Sequence, residues 1–190
     1  MPMHERACIA AIVAFALVSA ALAPAQAQGP YGIGRAATPA ETAGWNIDID
    51  RYGNNLPPGG GSVNHGREVF AEQCAACHGA KGEGGIGDRL VGGQGTLATS
   101  EPVRTVGSYW PYAPTLFDYI RRAMPQNAPQ SLGNDDVYAV SAYILNLNGL
   151  LPADARLDAK TLGAIKMPNR GMFVGDTRPD VKNPECMTGC

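Results

Sequence analysis

The chain is 190 residues long and carries 15 Lys and Arg against 17 Asp and Glu, a formal net charge of −2 at pH 7. That balance holds no basic surplus of the kind nucleic-acid binding draws on, so nucleic acid is excluded as a partner and any electrostatic steering must come from local patches. The length suits one domain with one hydrophobic core once an N-terminal segment is set aside.

That segment, residues 1–27, reads as a secretory signal peptide. Arg6 lies in a short polar start, an apolar run extends from Ala7 to Leu22, and Ala23-Pro24-Ala25-Gln26-Ala27 supplies small residues for cleavage after Ala27, with Ala25 as the alternative. An N-terminal membrane anchor is the competing reading, but the run is short for a span. No later apolar run is long enough to cross a bilayer, so the mature chain is expected to have no membrane span. Cysteine usage agrees with export to an oxidising compartment. Cys8 leaves with the signal, Cys74 and Cys77 share one motif, and Cys186 and Cys190 pair up at the end.

Residues 28–61 are rich in Gly, Pro and isolated aromatics, with weak periodicity, and read as an N-terminal arm. A domain over 62–149 follows. Its first helix is expected from about Val63 to Cys74, where Gly66, Val69, Phe70 and Gln73 fall at helical spacing. The helix runs into Cys74-Ala75-Ala76-Cys77-His78, the C-x-x-C-H attachment signature of haem c. Two thiols three positions apart reach the two vinyl groups on one haem edge, and His78 then lies under the iron as its proximal ligand. A thioredoxin-like pair wants a preceding strand in a βαβ pattern and a zinc site wants a second ligand pair; neither pattern is present.

The other axial ligand is narrowed by counting. His65 lies nine residues before Cys74 on the same helix, about 13 Å along its axis, and reads as a surface histidine. A methionine is therefore expected, from Met124, Met167, Met172 and Met187, with Met124 favoured. Thr115-Leu116-Phe117-Asp118 resembles a capping box, and Leu116, Ile120 and Ala123 continue an apolar face, which predicts a helix over Thr115–Ala123. Pro125 stops that helix and disfavours helical geometry at Met124, freeing its side chain to swing toward the metal. A buried core methionine is the plain alternative.

Before that helix, Tyr109, Trp110 and Tyr112 either line a haem crevice, with the indole N–H on a propionate, or pack in the core. Arg104, Arg121 and Arg122 are candidates to neutralise propionates or meet an acidic partner, with at least one left as solvated surface. The last helix is expected from about Asn134 to Leu147, with Val137, Val140, Ile144 and Leu147 on one stripe, Asp135 and Asp136 favouring its N-terminus, and Gly149 and Pro152 at its end. Residues 150–190 form a C-terminal arm. Its Cys186 and Cys190 read most simply as a disulfide, and alternatively as a thiol that takes up substrate sulfur.

Residues 62–148 resemble a class I cytochrome c: a helix with Gly66 and Phe70, C-x-x-C-H, a glycine-rich loop, a methionine loop, and a final helix with Tyr143. The resemblance implies an all-α fold around one covalent haem c, with the long irregular arms outside it. It also implies that the first and last helices cross closely at Gly66, with Phe70 and Tyr143 filling the crossing. One departure stands out. The family usually has a proline after the glycine-rich loop whose carbonyl accepts from the proximal histidine, whereas Gly84-Gly85-Ile86-Gly87-Asp88-Arg89-Leu90 has none, so another carbonyl near Ile86 must serve. The flanks narrow the match. Gly34-Arg35-Ala36-Ala37-Thr38-Pro39-Ala40-Glu41, Val106-Gly107-Ser108-Tyr109-Trp110-Pro111-Tyr112-Ala113 and Lys166-Met167-Pro168-Asn169-Arg170 resemble periplasmic cytochromes of sulfur-compound oxidation, the haem subunits of sulfite or sulfane dehydrogenases. That resemblance implies a periplasmic electron-transfer protein with a molybdenum-containing dehydrogenase subunit as donor and a downstream cytochrome or oxidase as acceptor. The rivals are a general diffusible carrier and, with an open sixth position, a gas-binding or catalytic haem protein.

Overall fold

The computed structural model describes residues 33–176; the segment read as a signal peptide and the Cys186 and Cys190 pair lie outside the described residues. Residues 33–44 belong to a unit of their own. Its one helical turn, α1 (Pro39–Thr42), is held by a capping box: the Thr38 hydroxyl accepts from the Glu41 N–H, and the Glu41 carboxylate accepts from the Thr38 N–H. Arg35 donates to both oxygens of the same carboxylate at 2.8 and 2.5 Å, which holds the Glu41 carboxyl down at about 2.

The remaining described chain is built on two helices that need each other's apolar stripe. Strand β1 (Gly60–Ser62) ends at Ser62, whose hydroxyl accepts from the His65 N–H and so starts α2 (Val63–Gln73). One more turn, α3 (Ala75–His78), follows the break at Cys74. After a long loop come α4 (Ala113–Ala123) and α5 (Asn134–Leu147), then β2 (Arg156–Asp158) and α6 (Ala159–Gly163). Helix α2 buries Val63, Gly66, Val69 and Phe70 against α5. At the crossing, a Cβ on Gly66 would overlap the Ala139 carbonyl oxygen and come within 2.9 Å of Tyr143 Cβ, so only glycine permits the approach. Phe70 and Tyr143 meet edge to face beside it, with centroids 5.4 Å apart. Helix α5 is buried nearly all round and ends in a Schellman motif. Gly149 takes a φ of +72°, its N–H donates to Asn146 O, and the Leu150 N–H donates to Leu145 O.

The expected start of the second helix is corrected. It begins at Ala113, not at a capping box on Thr115, and its N-cap Tyr112 makes no side-chain cap. Pro114 fits the first turn because the N–H it lacks has no intrahelical partner there. Asp118 is used elsewhere: it accepts from the Ile49 N–H at 3.1 Å and from Arg122 at 2.7 Å, while Arg122 also donates to Asp48 at 2.7 Å. His65 lies at the surface as expected, and there it joins the two helices α2 and α5. Its Nε2 lies 2.7 Å from Asp136 on α5, and Nδ1 lies 3.5 Å from Glu68.

The arms, with no periodicity to betray them, add structure to this helical fold. Strand β1 pairs antiparallel with β2, Gly61 opposite Leu157. Gly60 N–H donates to Asp135 and the Tyr138 hydroxyl to Pro57 O, both at 2.8 Å. Ile49 from one arm and Leu157, Leu162 and Met167 from the other are buried in the same core as the helices. Among the described residues no helix is long and apolar enough to cross a membrane.

Two outcomes follow from the helix crossing. Gly66→Ala gains about 1 kcal/mol of helix propensity but must drive the helices apart, so urea unfolding should show a net loss of about 2–3 kcal/mol. The Asp136 contact raises the pKa of His65 in the folded state above its unfolded value. The contribution of this pair is therefore full below about pH 6 and fades as pH rises through the raised value. His65→Gln should cost about 0.5 kcal/mol at about pH 5, where His65 is charged and Asp136 ionised but both are in contact with water, and nearly nothing at alkaline pH.

Candidate haem site

The site begins where α2 breaks. Cys74 leaves helical geometry, and the single turn α3 is closed by the Cys77 and His78 N–H groups, both donating to Cys74 O at 3.1 and 3.0 Å. Gly79 ends the turn at a φ of +81°, a conformation that favours glycine. The chain then folds back over the motif. Gly84 N–H donates to His78 O at 2.7 Å, Gly87 N–H donates to Cys77 O at 2.9 Å, and Leu90 N–H donates to Gly82 O at 2.9 Å. This compact loop places the carbonyl of Asp88 2.7 Å from His78 Nδ1. The carbonyl sought near Ile86 is thus that of Asp88. With Nδ1 as donor, the imidazole leaves Nε2 with a free lone pair for a metal. Gly87 packs flat on the ring: a Cβ there would lie 2.9 Å from His78 Cε1 and 3.0 Å from Nδ1.

Opposite, Met124 follows α4 in extended geometry, with φ −119° and ψ 145°, as the following Pro125 demands. Between the two lies a cavity of about 850 Å³. Cys74, Cys77 and His78 line it together with Met124, and Leu116, Ile120, Val140 and Ile144 form apolar wall. Of the other candidates, Met167 is buried in the core, Met172 is exposed, and Met187 lies outside the described residues. Trp110 and Arg104 line the cavity, but Tyr109, Tyr112, Arg121 and Arg122 do not. Arg122 is committed to Asp48 and Asp118.

The residues fit a haem on two counts, and the thiol chemistry argues against the rival readings of the motif. The volume falls in the range of about 300–1,000 Å³ that cofactor pockets occupy. The walls are mainly apolar, with an imidazole and a thioether facing one space. Burial, helped by the neighbouring Cys77, pushes the Cys74 thiol up to about 11. That is opposite in direction to the lowered values of thioredoxin-like nucleophiles and metal thiolates. Among the described residues no cluster of three His, Cys, Asp or Glu could hold a metal.

Sequence reasoning missed three parts of this site. Tyr119 lines the cavity and stacks edge-on with Trp110 at 5.8 Å. Asn148, at the end of α5, ties down the loop that walls the cavity. It donates to Leu90 O at 3.1 Å and to Ile144 O at 2.9 Å, and accepts from Gly92 N–H at 3.1 Å. Thr105, buried, donates from Oγ1 to Gly92 O at 2.6 Å and accepts from the Gly107 N–H. Only the last helix stopping near residue 148 hinted at a special residue there.

A cytochrome c family model matches residues 63–148. Among solved structures, a chain of the sulfane dehydrogenase SoxCD from Paracoccus pantotrophus matches at 40% identity with a TM-score of 0.74, covering 84% of this chain and 81% of that one. No match is found among curated proteins. The chain belongs to the cytochrome c family. The family implies covalently bound haem c and electron transfer as the role of this fold.

Gly87→Ala should push the imidazole off its seat. In the reduced holoprotein the His78 Nδ1 proton resonance is expected to shift, and stability to fall by about 1–2 kcal/mol, read by NMR and denaturant unfolding.

Proposed function

We propose that this chain is a periplasmic cytochrome with a single haem, carrying electrons away from a molybdenum-containing sulfite or sulfane dehydrogenase. The observation that carries this reading is the match to a chain of the sulfane dehydrogenase SoxCD, which extends over the arms as well as the haem domain. The one C-x-x-C-H in the sequence supports a single haem, and the export-type N-terminus supports the periplasm.

In this reading Cys74 and Cys77 hold the haem by thioether bonds, and His78 and Met124 ligate its iron. Bound haem supplies one-electron chemistry at the iron, at a potential that methionine ligation raises. The protein's own part is to hold these groups still. The Asp88 carbonyl fixes the His78 ring, and Gly87 lets the loop close on it. The end of α4 presents Met124 from the other side, and Leu116, Ile120, Val140 and Ile144 keep water from the space between. Oxidation of the sulfur compound belongs to the molybdenum partner, and the electron leaves to a downstream cytochrome or oxidase.

The test follows haem absorbance of the oxidised holoprotein on adding sulfite or thiosulfate, alone and with native periplasmic extract. Rapid reduction only with extract is the expected result. Absence of sulfur-dependent reduction sinks the dehydrogenase reading and leaves a carrier for another donor. In parallel, Met124→Ala should lower the reduction potential and allow prompt carbon monoxide binding to the reduced protein; an unchanged potential would remove Met124 as ligand.

A further inference from the structure

Four arginines in the described chain sit over tyrosine rings: Arg67 over Tyr143 at the helix crossing, and a group of three, Arg51, Arg104 and Arg170, on the arms and the loop before α4. The guanidinium of Arg51 lies 4.8 Å from the centroid of Tyr52 and 5.9 Å from that of Tyr112. Arg170 lies 5.5 Å from the same Tyr112 ring, and Arg104 5.5 Å from Tyr109. Among the described residues none of the three has a carboxylate at ion-pair distance. The nearest acidic residue in sequence to Arg51, Asp50, is occupied: it accepts from the N–H groups of Tyr52 and Asn54 and from the Asn54 amide.

These groups form one continuous surface. Phe173 meets Tyr109 edge-on at 5.5 Å, and the Asn169 amide donates to Tyr109 O, so the 169–173 segment is tied along 109–112. The surface reaches the haem cavity, because Arg104 and Trp110 line it. Tyr52 is 60% exposed and Phe173 54% exposed, large apolar area to leave in water. Arginine and aromatic side chains are the residues enriched where proteins dock. Stacking restrains each guanidinium without neutralising it, so its charge stays available to a partner. Three guanidinium groups held along one surface give it positive charge to offer an acidic partner.

We propose that this arginine–tyrosine surface is the docking site for an acidic face of the protein that exchanges electrons with this cytochrome. Arg51, Tyr52, Arg170 and Phe173 all lie outside residues 63–148, the part matched by the family model, so the surface is an addition that the arms make to the common domain. It rests on the electron-transfer reading, and its position beside the cavity brings the partner to the haem.

The test has two arms, both using holoprotein. In the first, the reduced protein is titrated with polyglutamate at low salt and the arginine Nε–H signals are followed by NMR. Shifts at Arg51, Arg104 and Arg170 are expected, and shifts centred on other basic residues overturn the proposal. In the second, the Arg51→Gln/Arg170→Gln variant is reduced by native periplasmic extract supplied with sulfite or thiosulfate. Reduction should be roughly tenfold slower than wild type at low ionic strength, with a flatter salt dependence, while reduction by a neutral hydroquinone is unchanged. Equal rates for variant and wild type overturn the proposal. If wild type itself is not reduced, the sulfur reading has failed, and the polyglutamate arm alone decides the surface.

Discussion

The close approach of α2 to α5 at Gly66 is the constraint from which the rest of this structure follows. With no side chain at Gly66, the backbone of one helix rests on the Ala139 carbonyl of the other, and Phe70 and Tyr143 close the space next to it. Because α3 follows α2 after one residue, the angle set at this crossing also sets where Cys74, Cys77 and His78 stand. The same helix α5 supplies Val140 and Ile144 to the cavity wall. A wider crossing would therefore move the haem-attachment turn and the wall against which the haem is to lie.

The two sides of the cavity are held by different means. His78 is fixed by a loop held largely through its backbone: successive bonds fold residues 79–90 over the motif until the Asp88 carbonyl meets the ring, and the Glu83, Arg89 and Asn148 side chains brace the turn. A proline is dispensable here because the bonds of Gly84, Gly87 and Leu90 already restrict the loop. Met124 is placed instead by helix termination at Pro125, and the α4 helix that carries it is pinned through Asp118 and Arg122 to Asp48 and the Ile49 backbone. Rigid support on both sides suits an electron-transfer protein, whose site should change shape little between redox states.

The arms tie the fold together and also extend its surface. Leu157, Leu162 and Met167 enter the core, and β2 closes a small sheet with β1. Segments from both arms then meet the loop before α4 and leave arginine and tyrosine side chains exposed beside the cavity. The same packing that buries one face of each arm thus creates a surface that a bare haem domain lacks.

Much of this was legible in the sequence because it is encoded locally. C-x-x-C-H specifies its chemistry within five residues, Asn134–Leu147 declares itself by period and end signals, and Pro125 forces extended geometry on Met124 through a steric clash with its neighbour. The glycine within a helix also announced a packing reason, since it costs about 1 kcal/mol otherwise. What remained hidden depends on partners distant in the chain. The start of α4 looked like Thr115 because Asp118 mimics a capping residue, yet its carboxylate is claimed by Ile49 and Arg122. His65 found Asp136, Asn148 found Leu90 and Gly92, and three-residue strands carried no period to read. A backbone carbonyl such as that of Asp88 has no residue signature at all. Local stereochemistry wrote the attachment motif and the extended turn at Met124 into the sequence, but the folded chain alone decided which hydrogen bonds hold them and which arginines were left facing water.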